Sequence, residues 1–76
     1  MYVTFQIKPT PFAQYFVGAE TNYYAIECND LNEAMETAAD INSIDGVSYL
    51  RINKSGRLNK KVQIFKNKEE YYATNN

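Results

Sequence analysis

Apolar and polar residues alternate at the start of the chain. In "YVTFQIK", Val3, Phe5 and Ile7 fall on one side and Tyr2, Thr4, Gln6 and Lys8 on the other, the period-two pattern of a half-buried strand. Pro9 and Pro11 end it, because neither can donate to a strand ladder. Phe12 to Val17 fits either a short strand turning at Gly18 or a loop carrying three aromatics. "NYYAIEC" is a strand with Tyr24, Ile26 and Cys28 on one face. The period then changes. Leu31, Ala34, Met35, Ala38 and Ile41 recur at helical spacing and predict a helix with a narrow apolar stripe. Asp30 suits its N-cap, and Glu33 three residues on completes an Asp form of the capping box. Gly46 in "SIDG" turns the chain out of the helix.

"VSYLRIN" and "RLNKKVQIFK" follow as two more strands. "NKSG" between them has Asn first and Gly fourth in a type I turn, the three-residue hairpin loop with a left-handed glycine. Asn53 opposite Arg57 sets Ile52 by Leu58, Leu50 by Lys60 and Ser48 by Val62. Leu50, Ile52, Leu58, Val62 and Ile64 then share the face toward the helix, whereas a two-residue turn would mix the parities. "KEEYYATNN" is polar and is expected to fray. The element order is β–(β)–β–α–β–β. It predicts an α+β fold, a four- to five-stranded antiparallel sheet with one α-helix packed on one face, as one domain over residues 1–68 with a polar tail over 69–76.

At 76 residues the fold must be well packed or completed by a partner, since so short a domain buries only about 60% of its unfolded surface. Cys28 is the only cysteine, so no internal disulfide adds to the core. Charge sharpens the picture further. Residues 1–50 hold one lysine against seven carboxylates, net −6, and residues 51–76 hold seven cations against two carboxylates, net +5. Such asymmetry points to a binding role.

The hairpin register sorts those cations. The face away from the helix carries Tyr49, Arg51, Asn53, Arg57, Asn59, Lys61, Gln63 and Phe65, joined by Tyr2, Thr4 and Gln6 of the first strand. Lys54, Lys60, Lys66 and Lys68 edge the core side. Tyrosine and arginine dominate binding hot spots, and they also stack on bases and contact phosphate. Tyr2, Tyr49, Arg51, Arg57, Lys61 and Phe65 are therefore the candidate partner-binding residues. A plain solvated sheet face is the bland reading, and Tyr2, Tyr49, Arg51 and Phe65 together exceed what solubility needs. A secondary acidic face lies on the helix, at Glu33, Glu36 and Asp40. Glu36 and Asp40 stand four apart with no lysine between them to pair with, a cost of a few tenths of a kcal/mol.

Several chemistries drop out. The absence of histidine removes the commonest zinc ligand and the ordinary Ser/His and Cys/His nucleophile systems. Cys28 on an apolar strand face reads as a small core residue. Gly18, Gly46 and Gly56 are isolated, so there is no glycine-rich phosphate loop, and "DLNEAMETAAD" lacks the alternating oxygen ligands of a calcium loop. No catalytic residue, metal site or cofactor is expected. Lys8 follows the apolar residues of "MYVTFQIKPT", where a secretory signal needs its charge first, and no apolar run approaches a membrane span. A soluble, cytoplasmic, non-enzymatic protein is the expectation.

The segment "IECNDLNEAMETAADINSIDGVSYLRIN" reads as strand, capped helix, glycine turn, strand. With the small size, the Asn/Tyr/Lys-rich composition and the missing histidine, it resembles small phage-encoded anti-defence inhibitors of the anti-CRISPR type. The resemblance lies in element order and composition over most of the chain, and no functional residue carries over. It implies an inhibitor that occludes a host protein or ribonucleoprotein complex in the host cytoplasm. Two alternatives stand beside it. One is a single-stranded nucleic-acid-binding module using the basic hairpin. The other is a structural protein that self-associates as a homodimer, the acidic helix of one copy meeting the basic hairpin of another.

Overall fold

The structure, a computed structural model, describes residues 1–7, 22–58 and 60–75. The expectations for Lys8 through Gly18 and for Asn59 lie outside the described residues. The elements run β1 (Tyr2–Ile7), β2 (Asn22–Glu27), α1 (Leu31–Asn42), β3 (Val47–Asn53), β4 (Gln63–Phe65) and α2 (Lys68–Asn75). The class is α+β. Among the described residues four strands are ordered β3-β1-β2-β4, with β1 antiparallel to both neighbours and β4 parallel to β2, so the sheet is mixed.

The capping box forms at α1. The Glu33 amide donates to Asp30 Oδ1 at 2.8 Å, and the Asn29 amide donates to Glu33 Oε2 at 3.1 Å. Two otherwise orphaned donors are thereby satisfied by one pair of side chains. The helix carries the chain over β1, from β2 on one side to β3 on the other, and packs on β1 and β3. Its buried stripe is Ala34, Thr37 and Ile41, with Ala38 against the core. Leu31 and Met35, expected in that stripe, are 41% and 57% exposed. Thr37 takes the inward place because its hydroxyl has a buried partner, the Cys28 thiol at 3.8 Å.

Residues 69–75, expected as part of a frayed tail over 69–76, instead lie within a second helix. The same cap recurs at its start. The Glu70 amide donates to Asn67 Oδ1 at 2.8 Å, and the Lys66 amide donates to Glu70 Oε2 at 3.2 Å. Tyr71 then enters the core. Its ring stands edge-on to Phe5 and Phe65 at 5.3 Å each and to Tyr24 at 5.5 Å. Lys68 Nζ meets Asp40 Oδ2 at 2.7 Å, tying α2 to the end of α1. Both helices therefore serve one face of the sheet, in a single cluster of Val3, Phe5, Tyr24, Ile26, Cys28, Ala34, Ile41, Phe65 and Tyr71.

The expected hairpin is half right. Its turn forms: Asn53 Nδ2 donates to the Arg57 carbonyl at 2.7 Å, the Ser55 amide donates to Asn53 Oδ1 at 3.0 Å, and Gly56 sits at φ +75°. Yet β3 and β4 lie at opposite edges of the sheet and do not pair. Residues 54–62 connect them, and that slack frees β4 from the parity of the turn. Its register follows β2 instead, Ala25 beside Ile64 and Ile26 beside Phe65. Phe65, expected outside, is 3% exposed, and Ile64, expected inside, is 50% exposed. The exchange seats a ring among Tyr24 and Tyr71, where an isoleucine would make no aromatic contacts.

Candidate functional site

The sheet face away from the helices can be laid out from the strand registers. Asn53, Tyr2 and Glu27 form one row, Arg51, Thr4, Ala25 and Ile64 the next, and Ser48, Gln6 and Tyr23 the third. Small residues occupy the centre, and long or aromatic ones surround it.

Between the second and third rows, β3 is irregular. Val47 and Leu50 both pack against the core, yet they are three positions apart, and a regular strand would send them to opposite faces. The register shift opposite Thr4 to Gln6 inserts the extra residue that lets both point inward. Tyr49 absorbs it. Its φ is 53°, in the left-handed region, which costs a residue bearing a Cβ about 1–2 kcal/mol. The strained tyrosine is 62% exposed. Bulges of this kind re-aim a side chain, and strain held in a fold marks places worth examining for function.

Tyr49 borders a cleft of about 330 Å³. Thr4, Gln6, Tyr23, Tyr49 and Arg51 contribute from the sheet. Arg57, Leu58 and Val62 contribute from the connection between β3 and β4, which therefore crosses the outer face as α1 crosses the inner one. The Asn53 turn holds that connection by its backbone and so fixes where Arg57 leaves it. Among the described residues, the lining includes both arginines of the chain and no carboxylate. Among the described residues the ion pair is Lys68–Asp40, and neither guanidinium takes part in one. Two exposed guanidinium groups beside aromatic rings and amide or hydroxyl groups suit a planar or anionic ligand.

Of the residues predicted from sequence, Tyr49, Arg51 and Arg57 are brought together here. Tyr2 is half-buried in the row beside Asn53, outside the cleft wall, and Lys61 is exposed on the connection. Phe65 is removed from the candidate surface by its burial in the core. Leu58 and Val62, assigned to the core by the hairpin register, are half-buried in the cleft wall. Tyr23 was missed, although the alternation in "NYYAIEC" already placed it opposite Tyr24.

The acidic residues of α1 do not form a vacant face. Glu33 is used in the cap and Asp40, itself exposed, in the pair with Lys68, and Glu36 is exposed. Cys28 is buried, with its sulfur 3.7 Å from the Ile26 carbonyl, and burial pushes the thiol pKa up. Deep placement and a disfavoured thiolate make it a core residue, in line with its sequence pattern. Among the described residues, no group of three or more Cys, Asp or Glu side chains gathers to hold a metal ion, and no helix is long and apolar enough to cross a membrane. Set against models of protein families, curated proteins and solved structures, the chain matches none of them.

Proposed function

We propose that the protein is a non-enzymatic binding module that masks a partner through its outer sheet face. The observation that carries this reading is the gathering of Tyr49, Arg51 and Arg57 around one cleft that no carboxylate among the described residues lines. Such a surface is complementary to an acidic or phosphate-lined partner, and it attracts one before contact is made. The partner class is a protein or ribonucleoprotein complex that handles nucleic acid in the host cytoplasm, and the protein acts on it by occlusion, as an anti-defence inhibitor of the phage type would. The acidic helix face is the weaker candidate, since Glu33 and Asp40 already have partners.

The test is capture from host lysate at low salt. The wild-type chain is expected to retain a partner that Tyr49→Ala combined with Arg51→Glu loses and that Glu36→Lys keeps. Retention by the double variant and loss by Glu36→Lys would move the interface to α1 and refute the outer-face reading.

Direct binding of single-stranded nucleic acid is the second reading, favoured by the same pairing of tyrosine rings with arginines.

A further inference from the structure

We infer that the outer-face cleft is a subsite for one nucleoside phosphate, its phosphate held by Arg51 and Arg57 and its base against Tyr23 and Tyr49. The inference rests on the outer face being the interface, and it names what that face takes.

Cation choice is the first argument. The chain has six lysines and two arginines, and both arginines line the cleft while none of the described lysines does. A surface kept soluble by charge has no use for that sorting. A phosphate does, because a guanidinium offers a planar fork of donors that matches two phosphate oxygens, and an ammonium offers a point charge. The Asn53 turn aims Arg57 from the connection while β3 carries Arg51, so the two forks approach from different elements.

The second argument is what stands around the charge. Tyr23 and Tyr49 supply ring faces, and every base has a face that stacks on one. Thr4 and Gln6 supply a hydroxyl and a carboxamide, groups that donate to and accept from a base edge. An acidic peptide would use the guanidinium groups and leave the rings idle. The third argument is size. The cleft of about 330 Å³ lies at the lower end of small-molecule sites, which run from about 300 to 1,000 Å³, so it fits one nucleotide unit and excludes a duplex. The unit can come from a free mononucleotide or from a single strand.

The test is a titration of the full chain, followed by amide chemical shifts at low salt. The probes are the four ribonucleoside 5′-monophosphates, inorganic phosphate, an all-uridine hexamer and a hexaglutamate peptide. At least one mononucleotide is expected to shift Gln6, Tyr23 and the residues around Tyr49 and Arg51. Arg51→Ala or Arg57→Ala should weaken binding about tenfold, and Arg51→Lys, which keeps the charge but loses the fork, should weaken it several-fold. Tyr49→Gly keeps the left-handed backbone and removes only the ring, and it should weaken the nucleotide without weakening inorganic phosphate. A hexamer binding tenfold or more tighter than the mononucleotides, with a steep salt dependence, assigns a strand as the source, and equal affinities assign the free nucleotide.

Three results would overturn the inference: no shifts from any nucleotide or hexamer at millimolar concentration, inorganic phosphate or hexaglutamate binding as tightly as the nucleotides, or shifts confined to other elements. Loss of lysate capture in the Tyr49→Ala and Arg51→Glu double variant without nucleotide binding would sink the subsite and leave the proposed function standing. Nucleotide binding with unaltered capture would do the reverse.

Discussion

Replacing Tyr71 with alanine tests whether the last helix belongs to the core. Its ring is buried against Phe5, Tyr24 and Phe65. A buried tyrosine removes about 150–250 Å² from water, which at about 25 cal/mol per Å² is about 4–6 kcal/mol. The unfolded chain already hides part of that area, and measured truncations of buried aromatic residues cost about 3–5 kcal/mol. A chain of 76 residues has a total stability of about 4–11 kcal/mol. Tyr71→Ala should therefore remove about a quarter of the stability or more, lowering Tm by about 12–40 °C at about 4–8 °C per kcal/mol. Urea unfolding followed by far-UV circular dichroism measures it, with the m-value as a check that the transition stays two-state. Should Tyr71→Ala leave too little folded protein to measure, Tyr71→Leu keeps an apolar side chain, loses the edge-on ring contacts and should cost about 1–3 kcal/mol. Glu69→Ala, exposed on the same helix, should stay within about 0.5 kcal/mol. A Tyr71→Ala protein within about 1 kcal/mol of wild type, at an unchanged m-value, would mean that α2 is an appendage and that the aromatic cluster closes without it.

Three further outcomes are expected. Phe65→Ala should destabilise by about 3–5 kcal/mol while Ile64→Ala stays near 1 kcal/mol or below, and the opposite order in urea midpoints would restore the hairpin register. Tyr49→Gly should be about 1 kcal/mol more stable than Tyr49→Ala in urea midpoints, because both lose the ring and only glycine adopts the left-handed conformation freely, and equal midpoints would refute the strain. Burial raises the pKa of both Cys28 and Tyr71, so the folded state holds these protons more tightly than the unfolded chain. Stability from this source is complete below the unfolded thiol value of about 8.5 and falls as pH rises past it, then faster past about 10 where unfolded tyrosine ionises. Cys28→Ala should remove the first part of that fall in urea midpoints taken from pH 7 to 11, and an identical profile in the variant would refute the assignment.

Much of this architecture is legible in local patterns. Alternation places Val3, Phe5, Tyr24, Ile26 and Cys28 inside, and "DLNE" caps α1, because strand pleat and helix caps depend on neighbours in sequence. "NKEE" carries the same signal for α2, but the segment is polar; among its described side chains only Tyr71 is deeply buried, and one anchor produces little periodicity. The misplacement of Phe65 has a different origin. A tight turn normally dictates the pairing of the strands it joins, and this one turns the chain onto the sheet face instead of back along β3. No local pattern distinguishes those outcomes, since both satisfy the Asn53 and Gly56 turn. The candidate site was legible to the same depth: Tyr49, Arg51 and Arg57 come from one stretch of chain, whereas Tyr23 and Gln6 join them only through the sheet register. The bulge also had a visible trace, in that Val47 and Leu50 cannot both face inward on a regular strand.

That bulge also bears on how the molecule behaves in a crowd of its own copies. Among the described residues, β3 ends the sheet on one side and is seven residues long, and β4 ends it on the other with three. Long flat edges recruit further strands and seed polymers, and very short ones do not. An inserted residue breaks the even spacing of edge donors and acceptors and increases the local twist, so an incoming strand cannot run the length of β3 in register. The same distortion that turns Tyr49 toward the cleft thereby guards the vulnerable border of the sheet against fibre growth.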